Sequence, residues 1–281
     1  MANALEISDL SYAYPDGTPA LHKINLKIKA QRKTVILGTN GSGKTTLIYH
    51  MNGTIPAQEG SVKVFDSPIC RENIFEVRRE VGLLFDNPDN QLFSTTVYGD
   101  IAFGPRNLRL DRETVDKRVK TAMHKVGIEE LAERPPYSLS LGQKKRAAIA
   151  GLLAMKPTIL ACDEPFSGLD PNVCEHLRGI FNELKERGTT LVYSSHDVDL
   201  AYAWADDVVV MKNGRVLEAG EVKLLQDESL MRNACLPLPV LAELFKNSSY
   251  KPRTVKEALD LLPLRYDYSA AGRDSAVDQA K

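Results

Sequence analysis

The stretch Gly38-Thr39-Asn40-Gly41-Ser42-Gly43-Lys44-Thr45 constrains this chain more than any other part of its 281 residues. Its glycines let the backbone wrap so that successive N–H groups converge on a polyphosphate. The residues before it, Thr34-Val35-Ile36-Leu37, form a short, continuous apolar run, the pattern of a strand buried on both faces. A helix is expected from about Lys44, and its N-terminal dipole adds to the pull on an anion. Apolar strand, glycine-rich turn and helix together make a complete P-loop. In that setting Lys44 is expected to reach the β- and γ-phosphates, and the Thr45 hydroxyl to ligate Mg2+.

A strand of that kind needs parallel neighbours. Val81 to Phe85, Thr158 to Cys162 and Thr190 to Tyr193 are further apolar runs separated by helical patterns, so the chain reads as α/β with a mostly parallel sheet. Ahead of the P-loop the pattern differs. Leu5 and Ile7, then Leu10, Tyr12 and Tyr14, lie on single faces of extended segments. Pro15-Asp16-Gly17 is a turn, and Ile24, Leu26 and Ile28 alternate with polar residues. Two strands joined by a turn predict a separate antiparallel sheet. From about residue 90 to 155 no strand is expected, and Val115, Val119, Ala122, Met123 and Val126 share one helical face. That segment is expected to be an inserted helical subdomain. The main domain is expected over 1–222 and a C-terminal extension over 223–281, punctuated by Pro237, Pro239, Pro252 and Pro263. Its last residues, Ser269 to Lys281, are small and polar and are expected to be mobile.

Composition removes several classes of function. With 36 Lys and Arg against 37 Asp and Glu the net charge is -1, so no bulk basic field exists and no nucleic-acid partner is expected. The longest apolar run in a candidate helix, Ala147 to Met155, falls well short of the roughly 20 residues of a membrane span. Met1 to Leu10 carries Glu6 and Asp9 and does not read as a secretory signal. Cys70, Cys162, Cys174 and Cys235 form no CxxC pair and read as reduced thiols of the cytosol.

A second motif completes the chemistry. Ile159-Leu160-Ala161-Cys162-Asp163-Glu164 ends an apolar strand in two acids, and the carboxyl ends of such strands meet at the nucleotide crevice. Asp163 is expected to bind Mg2+ directly or through water. Glu164 is expected to polarise a water aimed at the γ-phosphate.

Ser138-Leu139-Ser140-Leu141-Gly142-Gln143 precedes that pair and is expected to open a long helix, with Ser140 and Gln143 at capping-box spacing. Taken with Ser167-Gly168-Leu169-Asp170 and Ser194-Ser195-His196-Asp197, it resembles the ABC ATPase family, whose signature is usually written LSGGQ. The resemblance covers residues 1 to about 222. It implies a RecA-like core with an antiparallel β subdomain and the inserted helices, and ATP with Mg2+ as ligands. It also implies composite sites. Ser140, Leu141, Gly142 and Gln143 of one subunit would meet the γ-phosphate held by the other subunit's loop, Gly38, Thr39, Asn40, Gly41, Ser42, Gly43, Lys44, Thr45 and Thr46. Tyr14 matches the aromatic that stacks on adenine, with Tyr12 as its rival. Asp170 matches the D-loop acid linking the two sites, and His196 the switch histidine at the γ-phosphate. Glu164 and His196 are thus the expected catalytic pair.

A narrower resemblance follows. Phe85-Asp86-Asn87-Pro88-Asp89-Asn90-Gln91-Leu92-Phe93 and Val97-Tyr98-Gly99-Asp100-Ile101-Ala102-Phe103-Gly104-Pro105 are similar to the energy-coupling-factor subgroup. Lys144-Lys145-Arg146, and His196-Asp197-Val198-Asp199-Leu200 with Trp204-Ala205-Asp206, resemble its cobalt and nickel branch, the CbiO type. This implies ATP hydrolysis by a homodimer, peripheral at the cytoplasmic face of the cell membrane, driving uptake of a transition-metal ion, cobalt first and nickel next. The implied partners are a transmembrane coupling protein of CbiQ type and an integral-membrane substrate-binding subunit of CbiM type. The coupling protein is expected to dock near Leu92 to Arg106, on exposed Leu92, Phe93, Val97, Tyr98 and Phe103. The alternatives are a vitamin-transporting relative, a soluble ABC ATPase, and a subunit that binds ATP without hydrolysing it. Two departures stand out. Asp86 replaces the usual Q-loop Gln, so the expected Mg2+ ligands are Thr45, Asp86 and Asp163. Leu141 replaces the usual signature Gly and is expected to narrow the space above the phosphate.

Overall fold

The computed structural model describes residues 2–261, and the expectation for Ser269 to Lys281 lies outside the described residues. The chain opens with β1 (Asn3–Ala13) and β2 (Pro19–Lys29), followed by β3 (Lys33–Leu37), α1 (Lys44–Met51), β4 (Glu59–Val64), β5 (Ser67–Pro68), α2 (Ile74–Glu80) and β6 (Val81–Leu84). Three helices come next: α3 (Val97–Asn107), α4 (Arg112–Val126) and α5 (Leu141–Met155). Then β7 (Ile159–Cys162), α6 (Pro171–Glu186), β8 (Thr190–Ser195), α7 (Val198–Trp204), β9 (Asp207–Lys212) and β10 (Arg215–Glu221) complete the sheets. The short helices α8 (Glu228–Asn233), α9 (Val240–Leu244) and α10 (Val255–Leu261) follow.

Within the described residues the strands form two sheets. One runs β2-β1-β4-β5 and is antiparallel; the other runs β10-β9-β3-β8-β7-β6. In the second sheet only β10 pairs antiparallel, at the edge. A register break in β1 between Ile7 and Leu10, with Asp9 at φ 49°, explains why its buried side chains change parity there.

The central strands are covered on both faces, so their side chains divide between two cores. Ile36, Val192 and Val209 face α1 and the antiparallel sheet, whereas Val35, Leu37 and Tyr193 face the helical insertion, α6 and α7. In α4 the buried residues are Val115, Val119, Ala122, Met123 and Val126, one continuous stripe against α3 and α5. Asp111 caps its start and Gly127, at φ 65°, ends it.

The segment Leu92 to Arg106 corrects one sequence-based expectation. Val97 is fully buried with Ile101, Ala102 and Pro105, because these positions fall on the single face of α3 that meets the core. Leu92 and Tyr98 also lean on that core, and the Tyr98 hydroxyl donates to Asp116 at 3.1 Å. Of the segment's large apolar side chains only Phe93 and Phe103 project outward, 66% and 47% exposed, their rings edge to face at 4.8 Å. The last described helices are tied back onto α7. The Val240 N–H donates to Asp199 at 2.7 Å, Arg253 Nε to the Tyr202 carbonyl at 2.7 Å, and Gln226 to the Tyr202 hydroxyl at 2.8 Å. No helix among the described residues is long and apolar enough to cross a membrane.

This division of α3 is testable. Ile101→Ala should cost about 2–5 kcal/mol by leaving a cavity in the helical core. Phe93→Ala, which loses only an exposed ring contact, should cost under about 1 kcal/mol. Urea unfolding midpoints separate the two.

Candidate nucleotide site

Strand order places the site. Because β3, β8, β7 and β6 lie side by side and parallel, their carboxyl ends open on one edge of the sheet. The P-loop leaves β3 there, His196 follows β8, Asp163 and Glu164 follow β7, and Asp86 follows β6. Residues far apart in sequence are thereby gathered along one line.

The loop geometry explains its glycines. Gly43 sits at φ 100°, and a Cβ on it would stand 2.9 Å from the Ala20 carbonyl oxygen, so the turn has no room for a side chain. A Cβ on Gly38 would reach 2.6 Å from the Met211 carbonyl oxygen. Helix α1 begins with no side chain capping its first N–H groups, which leaves them free for an anion. The Lys44 ammonium is buried and donates to the carbonyls of Gly38 (2.8 Å) and Thr39 (3.1 Å). Burial lowers its pKa, with Glu164 and Asp163 acting against that shift. Tyr14, 41% exposed, stands beside the loop with its hydroxyl 2.7 Å from Thr46 Oγ1. The Tyr12 ring lies edge-on to that of Tyr14 at 5.3 Å and packs behind it against buried His50 at 5.0 Å.

The acids are held by Ser194, a residue sequence reasoning gave no role. Its hydroxyl donates to Asp163 Oδ1 at 2.6 Å and accepts from the Glu164 N–H at 2.9 Å. Burial holds the Asp163 carboxyl above the usual carboxylate range, and the Ser194 and Thr45 hydroxyls work against it. Asp163 Oδ2 is buried without a partner. An orphaned carboxylate oxygen beside the Thr45 hydroxyl is the donor chemistry a hard divalent cation needs, so these residues fit Mg2+. Glu164 occupies the left-handed region at φ 45°, and its Oε1 lies 3.1 Å from His196 Nδ1. A non-glycine residue at such a φ is strained and persists only where its surroundings hold it.

Asp86 is paired. Its Oδ1 lies 3.7 Å from Lys145 Nζ, an ammonium that also donates to the carbonyls of Glu164 and Ser167, each at 2.8 Å. Gln91 does not enter the site: its Oε1 accepts from the Phe85 N–H at 3.2 Å and braces the loop from behind. Sequence reasoning used Lys145 only as a branch marker. A usable signal was present, since it falls on one helical face with Ala148, Ile149 and Leu152.

The signature turn is a complete capping box. Ser140 Oγ accepts from the Gln143 N–H at 3.3 Å, and Gln143 Oε1 accepts from the Ser140 N–H at 2.9 Å. Leu141, 49% exposed, leans toward the D-loop, its methyl 3.0 Å from where a Cβ on Gly168 would stand. A pocket of about 300 Å3 lies between Ser140 to Gln143 and Gly168 to Asp170, and no P-loop residue lines it. Within one chain the signature turn and the P-loop therefore do not share this pocket. A larger cavity of about 530 Å3 lies behind α1, against His50, Ile69 and Arg71, and also excludes the P-loop.

Comparison with known proteins shows the family. The ABC transporter family matches residues 21–167. The energy-coupling factor transporter ATP-binding protein EcfA of Carboxydothermus hydrogenoformans is 47% identical over 262 residues, 92% of this chain and 97% of that protein. The chain is an ABC transporter ATPase of the energy-coupling-factor type. The EcfA protein of Methanocaldococcus jannaschii is 45% identical over 86% of this chain and 88% of its own length. Among solved structures, cbiO1 from Clostridium perfringens, part of the ABC transporter complex cbiONQ, superposes with a TM-score of 0.71. It is 40% identical, over 88% of this chain and all of that one. A dimeric ATP-binding cassette in a post-hydrolysis state with ADP and Pi superposes with a TM-score of 0.72 at 26% identity, over 78% of this chain and 98% of that one.

Ser194→Ala should expose how much the acids depend on one hydroxyl. It leaves a buried carboxylate oxygen and a buried N–H unpaired and should cost about 1–3 kcal/mol. Thermal unfolding of the purified chain measures this, and an unchanged midpoint would remove Ser194 from the site.

Proposed function

We propose that this ATPase hydrolyses ATP as the peripheral subunit of an importer that takes up a transition-metal ion, cobalt before nickel. It would act at the cytoplasmic face of the cell membrane with a coupling protein of CbiQ type and a substrate-binding subunit of CbiM type. The metal-ion reading is supported by the likeness to cbiO1 of the cbiONQ complex and by Lys144-Lys145-Arg146 after the signature. The hydrolytic reading rests chiefly on Glu164 and His196, in contact at 3.1 Å on the sheet edge that carries the P-loop.

In this reading the P-loop N–H groups and Lys44 bind the phosphates, and Tyr14 stacks on the base. Bound Mg2+, held by Thr45, Asp163 and Asp86, would supply charge neutralisation on the β- and γ-phosphate oxygens. Glu164 orients the attacking water, and His196, hydrogen-bonded to its carboxylate, reaches the γ-phosphate. Two copies pair head to tail, so that Ser140 to Gln143 of each close over the loop of the other and Asp170 links the sites. Each copy carries both halves, which supports a homodimer. Ser140 cannot cap its helix fully and grip a phosphate at once, so closure would exchange one bond for the other.

Glu164→Gln should retain ATP binding and accumulate as a closed dimer while turnover falls about 100-fold or more. Lys44→Ala should lose most nucleotide affinity. ATPase assays with size-exclusion chromatography report both, and near-normal turnover of the Glu164 variant would remove that residue from its role.

Docking of the coupling protein falls to Phe93 and Phe103 rather than to the whole apolar set, since these two rings alone stand clear of the α3 core. Phe93→Asp should leave folding and ATP binding intact and release the subunit from membranes containing its partner. Continued co-purification with the membrane subunits would place the docking surface elsewhere.

A further inference from the structure

Lys145 lies on the buried face of α5 with Ala148, Ile149 and Leu152, and only 1% of it is exposed. Lysine is among the residue types least often fully buried, because taking its charge out of water is costly unless that charge is paired. Two of its protons go to the carbonyl oxygens of Glu164 and Ser167. Those bonds alone do not call for a cation, since a side-chain amide also offers two N–H donors. What an amide lacks is charge, and the carboxylate 3.7 Å away, Asp86, supplies the reason for one.

The surrounding charges support this. Asp86, Asp163 and Glu164 crowd the same edge of the sheet. Of the two buried lysines there, Lys44 is directed to the P-loop carbonyls. Lys145 is left facing the acids. Burial lowers its pKa, and Asp86, then Glu164, act to raise it. The bond to Glu164 also falls where the backbone needs holding, since that residue sits at φ 45° and its carboxylate direction depends on keeping that conformation.

We propose that Lys145 is a positioning residue matched to Asp86. Its charge balances the carboxylate that stands in place of an amide, and its two carbonyl bonds hold the Glu164 to Ser167 turn so that the Glu164 side chain points to His196. The proposal rests on Glu164 being the residue that orients the water. It predicts that the cost of removing the lysine charge depends on which residue occupies position 86.

The test compares Lys145→Gln, Asp86→Gln and the two together, using thermal unfolding without nucleotide and steady-state ATPase kinetics with MgATP. Lys145→Gln alone should lower kcat about tenfold or more, with KM changed less than about threefold. In the Asp86→Gln background the same change should cost less than about threefold, and the melting shifts of the single variants should exceed that of the double variant when summed. Equal losses in both backgrounds would overturn the proposal. Should Lys145→Gln fail to fold while the double variant folds, the dependence on Asp86 is established in its strongest form. If neither folds, Lys145 serves helix packing alone and the proposal fails. If the unaltered chain shows no turnover, the hydrolytic reading fails, and the melting comparison still decides the pairing.

Discussion

Cys162 pairs with Tyr193 in the parallel ladder between β7 and β8, so the residues that follow them, Asp163 and Ser194, leave the sheet side by side. The 2.6 Å hydrogen bond between them is a direct consequence of that register. A slip of one residue would turn Asp163 to the opposite face and bury its carboxylate in hydrocarbon. The same ladder continues through β3, where Leu37 pairs with Ser195, so the P-loop and His196 also emerge together. The geometry of the candidate site is inherited from strand pairing. Short loops only finish what the register begins.

That economy concentrates charge. Burial raises the pKa of Asp163 and lowers those of Lys44 and Lys145, which means that both signs of charge are held out of water at one sheet edge. Such a cluster is tolerable only when each charge has partners. Lys44 and Lys145 find them in backbone carbonyls and carboxylates, and Ser194 serves one oxygen of Asp163. The other oxygen has none. An unsatisfied buried acceptor costs free energy that a bound divalent cation would recover, so the unpaired oxygen of Asp163 has the donor chemistry that fits Mg2+.

Much of this was legible in the sequence, for physical reasons that differ by element. The P-loop and the Asp163-Glu164 pair are contiguous, and their residue types admit few alternative structures. The α4 stripe was readable because five apolar residues at helical spacing have one way to be buried. Val97 was misjudged because Leu92, Phe93, Val97, Tyr98 and Phe103 are all apolar, and only the packing of α3 separates the face shared by Val97, Ile101, Ala102 and Pro105 from the one that carries Phe103. Ser194 and Lys145 act across strands and helices, through contacts 31 and 19 residues apart in sequence. Neither distance is written in any motif.

The segment between β6 and α3 shows how these parts are joined. Gln91 fixes the Phe85 N–H, Asp89 accepts from Lys144 at 2.7 Å, and Asp100 takes the N–H groups of Phe93 and Ser94, both at 3.0 Å. Asp86 is therefore one end of a braced loop whose other end carries the exposed Phe93. The brace includes Lys144, and its neighbour Lys145 holds the Glu164 turn. A loop tied at so many points cannot shift one residue without sharing the strain. Asp86, the signature helix and the exposed pair Phe93 and Phe103 are thus joined through one hydrogen-bonded segment, with the carboxylate at position 86 at its sheet-edge end.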